Sequence, residues 1–274
     1  MRAMRIHEYG DASVIRQDEI PRPVPTPGEV LIRVAATSFN PSDIGIRRGL
    51  LKEILPMDLP YALGIDVAGT LVDGGDRVVG RVDTGGTAAE YVVAAADSLV
   101  AAPSTVPLAH AAALPIAGLT AWQAVFEHAE LKPGRRVLIN GAGGGVGGFA
   151  VQLAKYAGAY VAATASPRSA EVIRGLGADR IVDYTTEPLP DDVDVIINLV
   201  PDARLPSRGA IVSATGPVHF VARNDTAQLA ALVELVDAGV VRIDIGAERP
   251  LSELADVHRD AEAGRTRGKV LLVP

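Results

Sequence analysis

Residues 141–148 include six glycines and form the most chemically informative segment of the chain. They follow the apolar run 136–140 and precede an apolar periodicity of helical type, which places them between a strand and a helix. Pyrophosphate binds backbone N–H groups at a helix N-terminus, and the close approach requires residues without a Cβ. The spacing Gly143-x-Gly145-x-x-Gly148 therefore predicts a dinucleotide site. The residues expected to contact it are Gly143, Gly144, Gly145 and Val146.

The end of the next predicted strand indicates which dinucleotide binds. An NAD site usually has a carboxylate there, about 20 residues after the glycines, to bind the ribose hydroxyls. Residues 162–169 contain no carboxylate but do contain Thr164, Ser166 and Arg168. Hydroxyls and a guanidinium favour a 2′-phosphate, so the sequence predicts NADPH. Two alternatives remain. Arg168 is a solvent-exposed charge without a role in binding, or the domain keeps the nucleotide-binding fold but no longer binds a nucleotide.

The glycine segment lies in a stretch, 116–239, where short apolar runs alternate with helical patterns. This alternation predicts an α/β domain with a doubly wound parallel sheet of the Rossmann type. The predicted strands are 136–140, 160–164, 180–183, 193–198 and 210–214. The predicted helices follow the glycines and span 169–176.

Both ends of the chain have a different pattern. Residues 1–115 contain short β-branched runs separated by Gly, Pro and Asp turns, which predicts a β-rich domain. The C-terminal part predicts helices over 226–238 and 252–263, with Ser252 as a possible N-cap, and a strand over 269–273. The absence of a low-complexity linker indicates that continuous structure joins the domains.

Composition excludes several classes of protein. The chain has 274 residues, 48% hydrophobic and 22% charged, with a net charge of −7. This is typical of two globular domains and argues against nucleic-acid or membrane-surface partners, which favour basic proteins. The first residues form no signal-peptide pattern and no apolar run is long enough to span a bilayer, so a cytoplasmic location is expected. Cysteine is absent, which excludes thiol nucleophiles and cysteine-ligated zinc.

Several motifs together resemble the medium-chain dehydrogenase/reductase superfamily, specifically its zinc-free quinone oxidoreductase branch. They run almost from end to end: PGEVLIRV (27–34), NPSD (40–43), GIDVAG (64–69), GLTAW (118–122), the glycine segment, LGAD (176–179) and GRTRGKV (264–270). The resemblance implies a GroES-like catalytic domain over 1–115, completed by 240–274. It also implies a Rossmann NADPH-binding domain over 116–239 and a homodimer.

The resemblance also implies roles for individual residues. The motif that contains Asn40 and Asp43 is expected beside the nicotinamide, with Asn40 bonded to the cofactor or to an acceptor carbonyl. Thr120, Tyr184 and Lys269 are expected to contact the cofactor. A turn role for Asn40 and an exposed, non-functional Tyr184 remain alternatives. Many relatives have a tyrosine where this chain has Gly45, which leaves the proton donor unassigned.

The metal ligands of the alcohol dehydrogenase branch are missing from the sequence. Gly64-Ile65-Asp66 replaces that branch's Gly-His-Glu, and Asp66 alone does not hold zinc. Asp66 is more simply interpreted as a structural acid. Without a Lewis acid the natural reaction is hydride transfer to an already electrophilic quinone or enone. The alternatives are an enoyl reductase acting on a thioester or biosynthetic intermediate and a non-catalytic NADPH-binding sensor.

The chain is short for this family. Residues 70–75 are a connection of only six residues at a place where relatives have a longer insertion. Residues 199–209 contain two prolines at a place where a parallel crossover usually has a helix. These observations predict a crossover reduced to a loop. They also predict a more open cleft that favours a bulky acceptor.

Overall fold

A computed structural model describes residues 1–53, 57–201, 205–216 and 218–274, which form two compact units. Unit 1 comprises residues 1–116, 224–237 and 245–274, and unit 2 comprises 117–223 and 238–244. The strands are β1 Arg2–Ile6, β2 Ile15–Glu19, β3 Glu29–Ser38, β4 Tyr61–Ala62, β5 Asp66–Leu71, β6 Arg77–Arg81, β7 Tyr91–Ala95, β8 Leu99–Ala101, β9 Arg136–Asn140, β10 Tyr160–Thr164, β11 Arg180–Val182, β12 Val195–Asn198, β13 Ala210–Ser213, β14 Ile245–Pro250 and β15 Lys269–Val273. The α-helices are α1 Pro41–Arg47, α2 Leu108–Ala111, α3 Pro115–Gln123, α4 Gly145–Tyr156, α5 Pro167–Gly175, α6 Thr226–Asp237 and α7 Leu254–Glu262.

Unit 2 is built on a parallel five-stranded sheet in the order β11-β10-β9-β12-β13. This confirms the predicted doubly wound sheet. The strand order reverses between β9 and β12, and ligands of open α/β sheets bind beyond the carboxyl ends of the strands at such a point. Its apolar strands are buried because helices cover a parallel sheet, and Leu138, Ile139 and Ile196 are fully buried.

Unit 1 contains two sheets. One has the order β14-β15-β3-β5-β6-β8, with β7 also paired to β3, and the other has the order β2-β1-β4. The antiparallel pairing of β15 with β3 brings the C-terminal strand beside residues 37–38. The last strand of the chain therefore pairs with a strand of the N-terminal stretch.

The units divide the chain at points that differ from the predicted domain boundaries. Helix α6 lies in unit 1, where it packs on β8. Asp237, the last residue of α6, accepts hydrogen bonds from the backbone N–H groups of Ser104 (2.9 Å) and Thr105 (3.0 Å). These contacts attach the helix to the β-rich unit, although it follows the nucleotide-binding stretch in sequence.

Three other local features bear on the predictions. Glu253, not Ser252, is the N-cap of α7, because the 3-10 turn Leu251–Glu253 precedes the helix. Strand β14 was not predicted, since Gly246 and Pro250 interrupt its apolar pattern. No helix is formed by residues 199–201 and 205–209 of the predicted crossover, whose centre, 202–204, lies outside the described residues. Within the described ranges no helix has the length and apolar character needed to cross a membrane.

Candidate functional site

The glycine segment forms the turn between β9 and α4, with Gly144 as the N-cap of the helix. A Cβ on Gly147 would overlap the backbone of Ala142, so this is the position where helix and loop approach most closely. At Gly148 a Cβ would meet the flexible end of Leu176 at 3.2 Å and the Asp244 Cβ at 3.9 Å, without overlapping any backbone atom. Gly141 has φ +90°, which favours glycine. The glycines that the backbone requires are therefore Gly141 and Gly147, and the closest approach of helix to loop lies one residue before the predicted Gly148.

A chain of polar side chains connects the carboxyl ends of the parallel strands. Thr164 Oγ1 accepts the Gly141 N–H (2.7 Å) and donates to Asn140 Oδ1 (3.0 Å). Asn140 Nδ2 donates to Asn198 Oδ1 (2.9 Å), and Asn198 Nδ2 donates to Ser213 Oγ (3.3 Å). The hydroxyl of Thr164 is thus engaged within the protein, where it fixes the start of the glycine turn.

The remaining predicted nucleotide contacts in unit 2 lie on different elements. Ser166 is the N-cap of α5, and Arg168 is an exposed residue in its first turn, which contains no acidic side chain. Tyr184 follows β11 and is 57% exposed. Thr120 lies in α3. The start of α5 also approaches the glycine turn, since a Cβ on Gly143 would lie 2.6 Å from Ser169 Oγ.

A buried polar network in unit 1 surrounds Asn40. Lys269 Nζ donates to Asn40 Oδ1 (2.7 Å) and to the Phe39 carbonyl (3.0 Å). Asn40 Nδ2 donates to Asp66 Oδ2 (2.8 Å) and to the Ser38 carbonyl (3.3 Å). Asn40, Asp66 and Lys269 are each at most 3% exposed. The structure therefore places Asn40 and Lys269 in contact, on two chain segments that β3 and β15 bring together.

Asp66 is the acceptor at the centre of this network. Its Oδ2 also accepts from Ser38 Oγ (2.6 Å) and lies 3.7 Å from Lys269 Nζ, while Oδ1 accepts the Ile116 N–H (3.0 Å). Burial lowers the pKa of Lys269, and the negative charges of Asp66 and Asp43 oppose that shift. These partners agree with the interpretation of Asp66 as a structural acid.

Asp43 is buried in the first turn of α1. Its Oδ2 accepts the backbone N–H of Asn40 (2.8 Å) and so caps α1, while the buried Oδ1 has no hydrogen-bond partner among the described residues. Burial raises the pKa of this carboxyl to about 7, and the nearby charge of Asp66 adds to the shift. The Asn40 N–H and Lys269 act in the opposite direction. Asp43 therefore fixes the backbone at Asn40.

Tyr61, in β4, is a candidate to replace the tyrosine that many relatives have at the position of Gly45. It is partly buried in the cluster that contains Leu63 and Ile65. Burial raises the pKa of its phenol to about 12, and the charge of Asp43 contributes. Packing accounts for its position.

Sequence reasoning missed two groups that shape the site. Asn140 and Asn198 each end an apolar strand, Val-Leu-Ile-Asn and Val-Ile-Ile-Asn, and this repeated pattern was the available signal. Ser38 lies at the end of β3, whose last residues are small and weakly patterned and therefore gave no signal.

A glycine turn on a parallel sheet, combined with a β-rich unit completed by the C-terminus, defines a two-unit nucleotide-binding dehydrogenase or reductase. Residues 26–104 match the family model "Alcohol dehydrogenase GroES-like domain", and residues 206–272 match "Zinc-binding dehydrogenase". The chloroplast envelope quinone oxidoreductase homolog of Arabidopsis thaliana is 33% identical over 324 positions, covering 100% of this chain and 98% of the relative. The chloroplastic NADPH-dependent alkenal/one oxidoreductase of the same plant is 32% identical, covering 100% of this chain and 80% of the relative.

The solved structure of the quinone oxidoreductase from Coxiella burnetii matches with a TM-score of 0.90 and 31% identity, covering 100% of this chain and 99% of the other. The chain therefore belongs to the medium-chain dehydrogenase/reductase superfamily, in its quinone oxidoreductase branch. Its alignment with the Arabidopsis quinone oxidoreductase homolog spans 324 positions against 274 residues, a difference of 50. This agrees with the expectation that the chain is short for its family.

Proposed function

We propose that this protein is an NADPH-dependent reductase that transfers hydride to a quinone or an α,β-unsaturated carbonyl compound. The observation that carries the proposal is the glycine turn at the N-terminus of α4. The segment 162–169, where β10 ends and α5 begins, contains Arg168 and no carboxylate, which favours NADPH. Relatives named quinone oxidoreductase and NADPH-dependent alkenal/one oxidoreductase, both above 30% identity, support the same class of acceptor.

The chain's residues divide this work between the two units. The backbone N–H groups at Gly143, Gly145 and Val146 hold the pyrophosphate, since the helix dipole of α4 favours negative charge there. The N–H of Gly144 is donated to the Gly141 carbonyl (3.1 Å), so Gly144 contributes by shaping the turn. Ser166 and Arg168 hold the 2′-phosphate, and Tyr184 packs on the adenosine side. Thr164 acts through the loop, because its hydroxyl is already bonded to Gly141 and Asn140.

We assign the nicotinamide end of the cofactor site to Asn40, Thr120 and the buried polar network around Asn40. When bound, the reduced nicotinamide supplies a hydride. For an enone, that hydride would be taken up at the β-carbon and a proton from water at the α-carbon. Asp43 and Lys269 hold Asn40 in position. No metal ligand set is proposed, because the chain has no cysteine and Ile65 replaces the histidine of the zinc-binding motif.

A second candidate is an enoyl reductase that acts on a thioester or a biosynthetic intermediate, because the glycine segment and GLTAW are shared with that branch. Oxidation of NADPH by the purified chain, with panels of quinones, enones and enoyl thioesters, separates the two. Turnover restricted to thioesters would favour the second candidate. Tight NADPH binding without turnover of any acceptor would instead identify a non-catalytic sensor.

The cofactor assignment has its own test. Arg168→Ala removes the charge that faces a 2′-phosphate, and its loss should weaken NADPH at least about 10-fold, the scale of one charge-assisted hydrogen bond, while NADH changes little. Arg174→Ala, an exposed arginine at the other end of α5, is the matched control and should leave both dissociation constants unchanged. Equal losses for NADPH and NADH in Arg168→Ala would contradict the assignment.

We also propose a cytoplasmic location and a homodimer, both on the family resemblance. Sedimentation of the purified chain tests the dimer. A monomer at micromolar concentration would contradict it.

A further inference from the structure

The last residues of β9 and β12 lie directly opposite each other at the point where the strand order of the parallel sheet reverses. Asn140 ends β9, Asn198 ends β12, and the two are register partners. A hydrogen bond from Asn140 Nδ2 to Asn198 Oδ1 (2.9 Å) joins them, and each residue is 6% exposed. Ligands of open α/β sheets bind beyond the carboxyl ends of such a strand pair. The contact between the two amides therefore lies at the base of that crevice.

The side chain of Asn198 holds the start of the loop that follows β12. Its Oδ1 accepts the Val200 N–H (3.3 Å), and its Nδ2 donates to the Val200 carbonyl (3.1 Å). Nδ2 also donates to the hydroxyl of Ser213 (3.3 Å), at the end of β13. Ser213 in turn donates to the Thr215 carbonyl (2.6 Å). One side chain therefore connects the loop after β12 with the loop after β13.

This series of hydrogen bonds has one direction, because backbone groups of fixed type stand at its ends. The Gly141 N–H can only donate, so Thr164 Oγ1 accepts it and gives its own hydrogen to Asn140 Oδ1. At the other end, the Val200 carbonyl can only accept. Reversing the Asn198 amide would set its oxygen against that carbonyl and its NH₂ group against the Val200 N–H. Both amides therefore have a single orientation that satisfies their partners.

We propose that Asn140 and Asn198 are positioning residues that hold the loops after β12 and β13 in a fixed relation to the glycine turn. The inference rests on the proposed function and deepens it. Thr164 passes the position of Asn140 on to the N–H of Gly141, the first residue of the turn that binds the pyrophosphate. NADPH and NADH both contain a pyrophosphate. The two asparagines therefore set the affinity for both dinucleotides equally, in contrast to Arg168.

Loss of either asparagine leaves its partners unpaired in a nearly buried site. Asn198→Ala removes the acceptor of Asn140 Nδ2 and both side-chain partners of the Val200 backbone. A buried polar group without a partner costs free energy, which the loop recovers by moving toward water. Such a movement releases the backbone next to the glycine turn.

A double-mutant cycle between the two asparagines tests the connection. Asn140→Ala and Asn198→Ala should each raise the dissociation constants of NADPH and NADH by the same factor, about 3- to 10-fold, the scale of one neutral hydrogen bond. The double variant should bind within about 2-fold of the weaker single variant, because each single change already breaks the connection. Nucleotide fluorescence measures binding at a temperature where circular dichroism shows every protein to be folded.

Three results of this cycle would overturn the inference. Factors that multiply in the double variant would show that the two side chains act separately. A loss confined to NADPH would place the effect at the 2′-phosphate and not at the glycine turn. Lower melting temperatures with unchanged dissociation constants would show that the two asparagines stabilise the sheet and do not position the site.

Ser213 provides a conservative rescue within the same series. Ser213→Ala removes the hydroxyl between Asn198 and Thr215 and should weaken both dinucleotides by about 3-fold, whereas Ser213→Thr keeps a hydroxyl and should bind as the wild type does. Equal dissociation constants for these two variants would overturn the connection to β13.

The matched control lies at the opposite end of β9. Asp192→Ala removes the carboxylate that accepts from the Arg136 guanidinium (2.6 Å) and should change neither dissociation constant. A loss as large as that of Asn198→Ala would show that the effect is not specific to the carboxyl ends of the strands, and would overturn the inference.

The wild-type protein separates this inference from the proposed function. A wild type that binds neither NADPH nor NADH would overturn the proposed function, and with it this inference. A wild type that binds dinucleotide, together with asparagine variants that bind it equally tightly, would overturn this inference alone.

Discussion

Asp43→Asn should make the protein more stable at alkaline pH and leave its stability nearly unchanged in acid. The carboxyl is fully buried, and its pKa is raised from 3.8 to about 7. A raised pKa means that the folded state holds the proton that the unfolded state has lost, so stability falls as pH rises from about 4 to about 7. Roughly three pKa units at about 1.4 kcal/mol each correspond to about 4 kcal/mol. An asparagine has no charge to bury, and its Oδ1 keeps the bond from the Asn40 N–H.

Urea unfolding followed by circular dichroism at pH 4 and pH 8 measures this difference. The variant should match the wild type near pH 4 and exceed its free energy of unfolding at pH 8 by up to about 4 kcal/mol. The control is Asp73→Asn, which changes an exposed carboxylate. Its free energy of unfolding relative to the wild type should be the same at pH 4 and at pH 8. A variant that is less stable than the wild type at pH 8 would show that the Asn40 N–H and Lys269 outweigh the cost of burial.

Two further variants test the packing behind the site. Gly147→Ala should lower the free energy of unfolding by about 1–3 kcal/mol, the usual cost of overpacking, because its Cβ would overlap the backbone of Ala142. The control is Gly175→Ala, where a Cβ meets nothing within 4 Å and stability should not fall. Equal melting temperatures for the two variants would contradict the close approach at Gly147. Lys269→Met should cost about 3–5 kcal/mol by leaving a buried carboxylate without its cation, whereas Lys52→Met should be neutral in urea unfolding. A neutral Lys269→Met would mean that the buried ion pair contributes little.

The parallel sheet was predictable because each of its strands is a continuous apolar run bounded by turn residues. Strands β9 and β10 of this sheet have the predicted bounds, as does β15 in unit 1. Strand β14 was not predictable in this way, since it alternates half-buried and exposed residues around a glycine and ends at a proline. Its pairing with β15 is a long-range contact that no local pattern encodes.

The glycine segment stands out in the sequence, but the glycine at which helix and loop pack most closely does not. Six glycines in eight residues fit several overlapping spacings, and only the three-dimensional approach of Gly147 to Ala142 distinguishes them. The contact of Lys269 with Asn40 joins residues 229 positions apart. The family resemblance placed both near the cofactor, but the direction of the Asn40 amide follows only from its bonded partners.

Transfer of deuterium from NADPH that carries it at the reactive C4 position, in a single turnover with an enone, tests the central claim most directly. The proposed function predicts a saturated ketone with one deuterium at the β-carbon. In D₂O with unlabelled NADPH, the deuterium should appear at the α-carbon instead. Consumption of the enone without deuterium at the β-carbon, or no consumption of any enone or quinone by protein saturated with NADPH, would contradict the account.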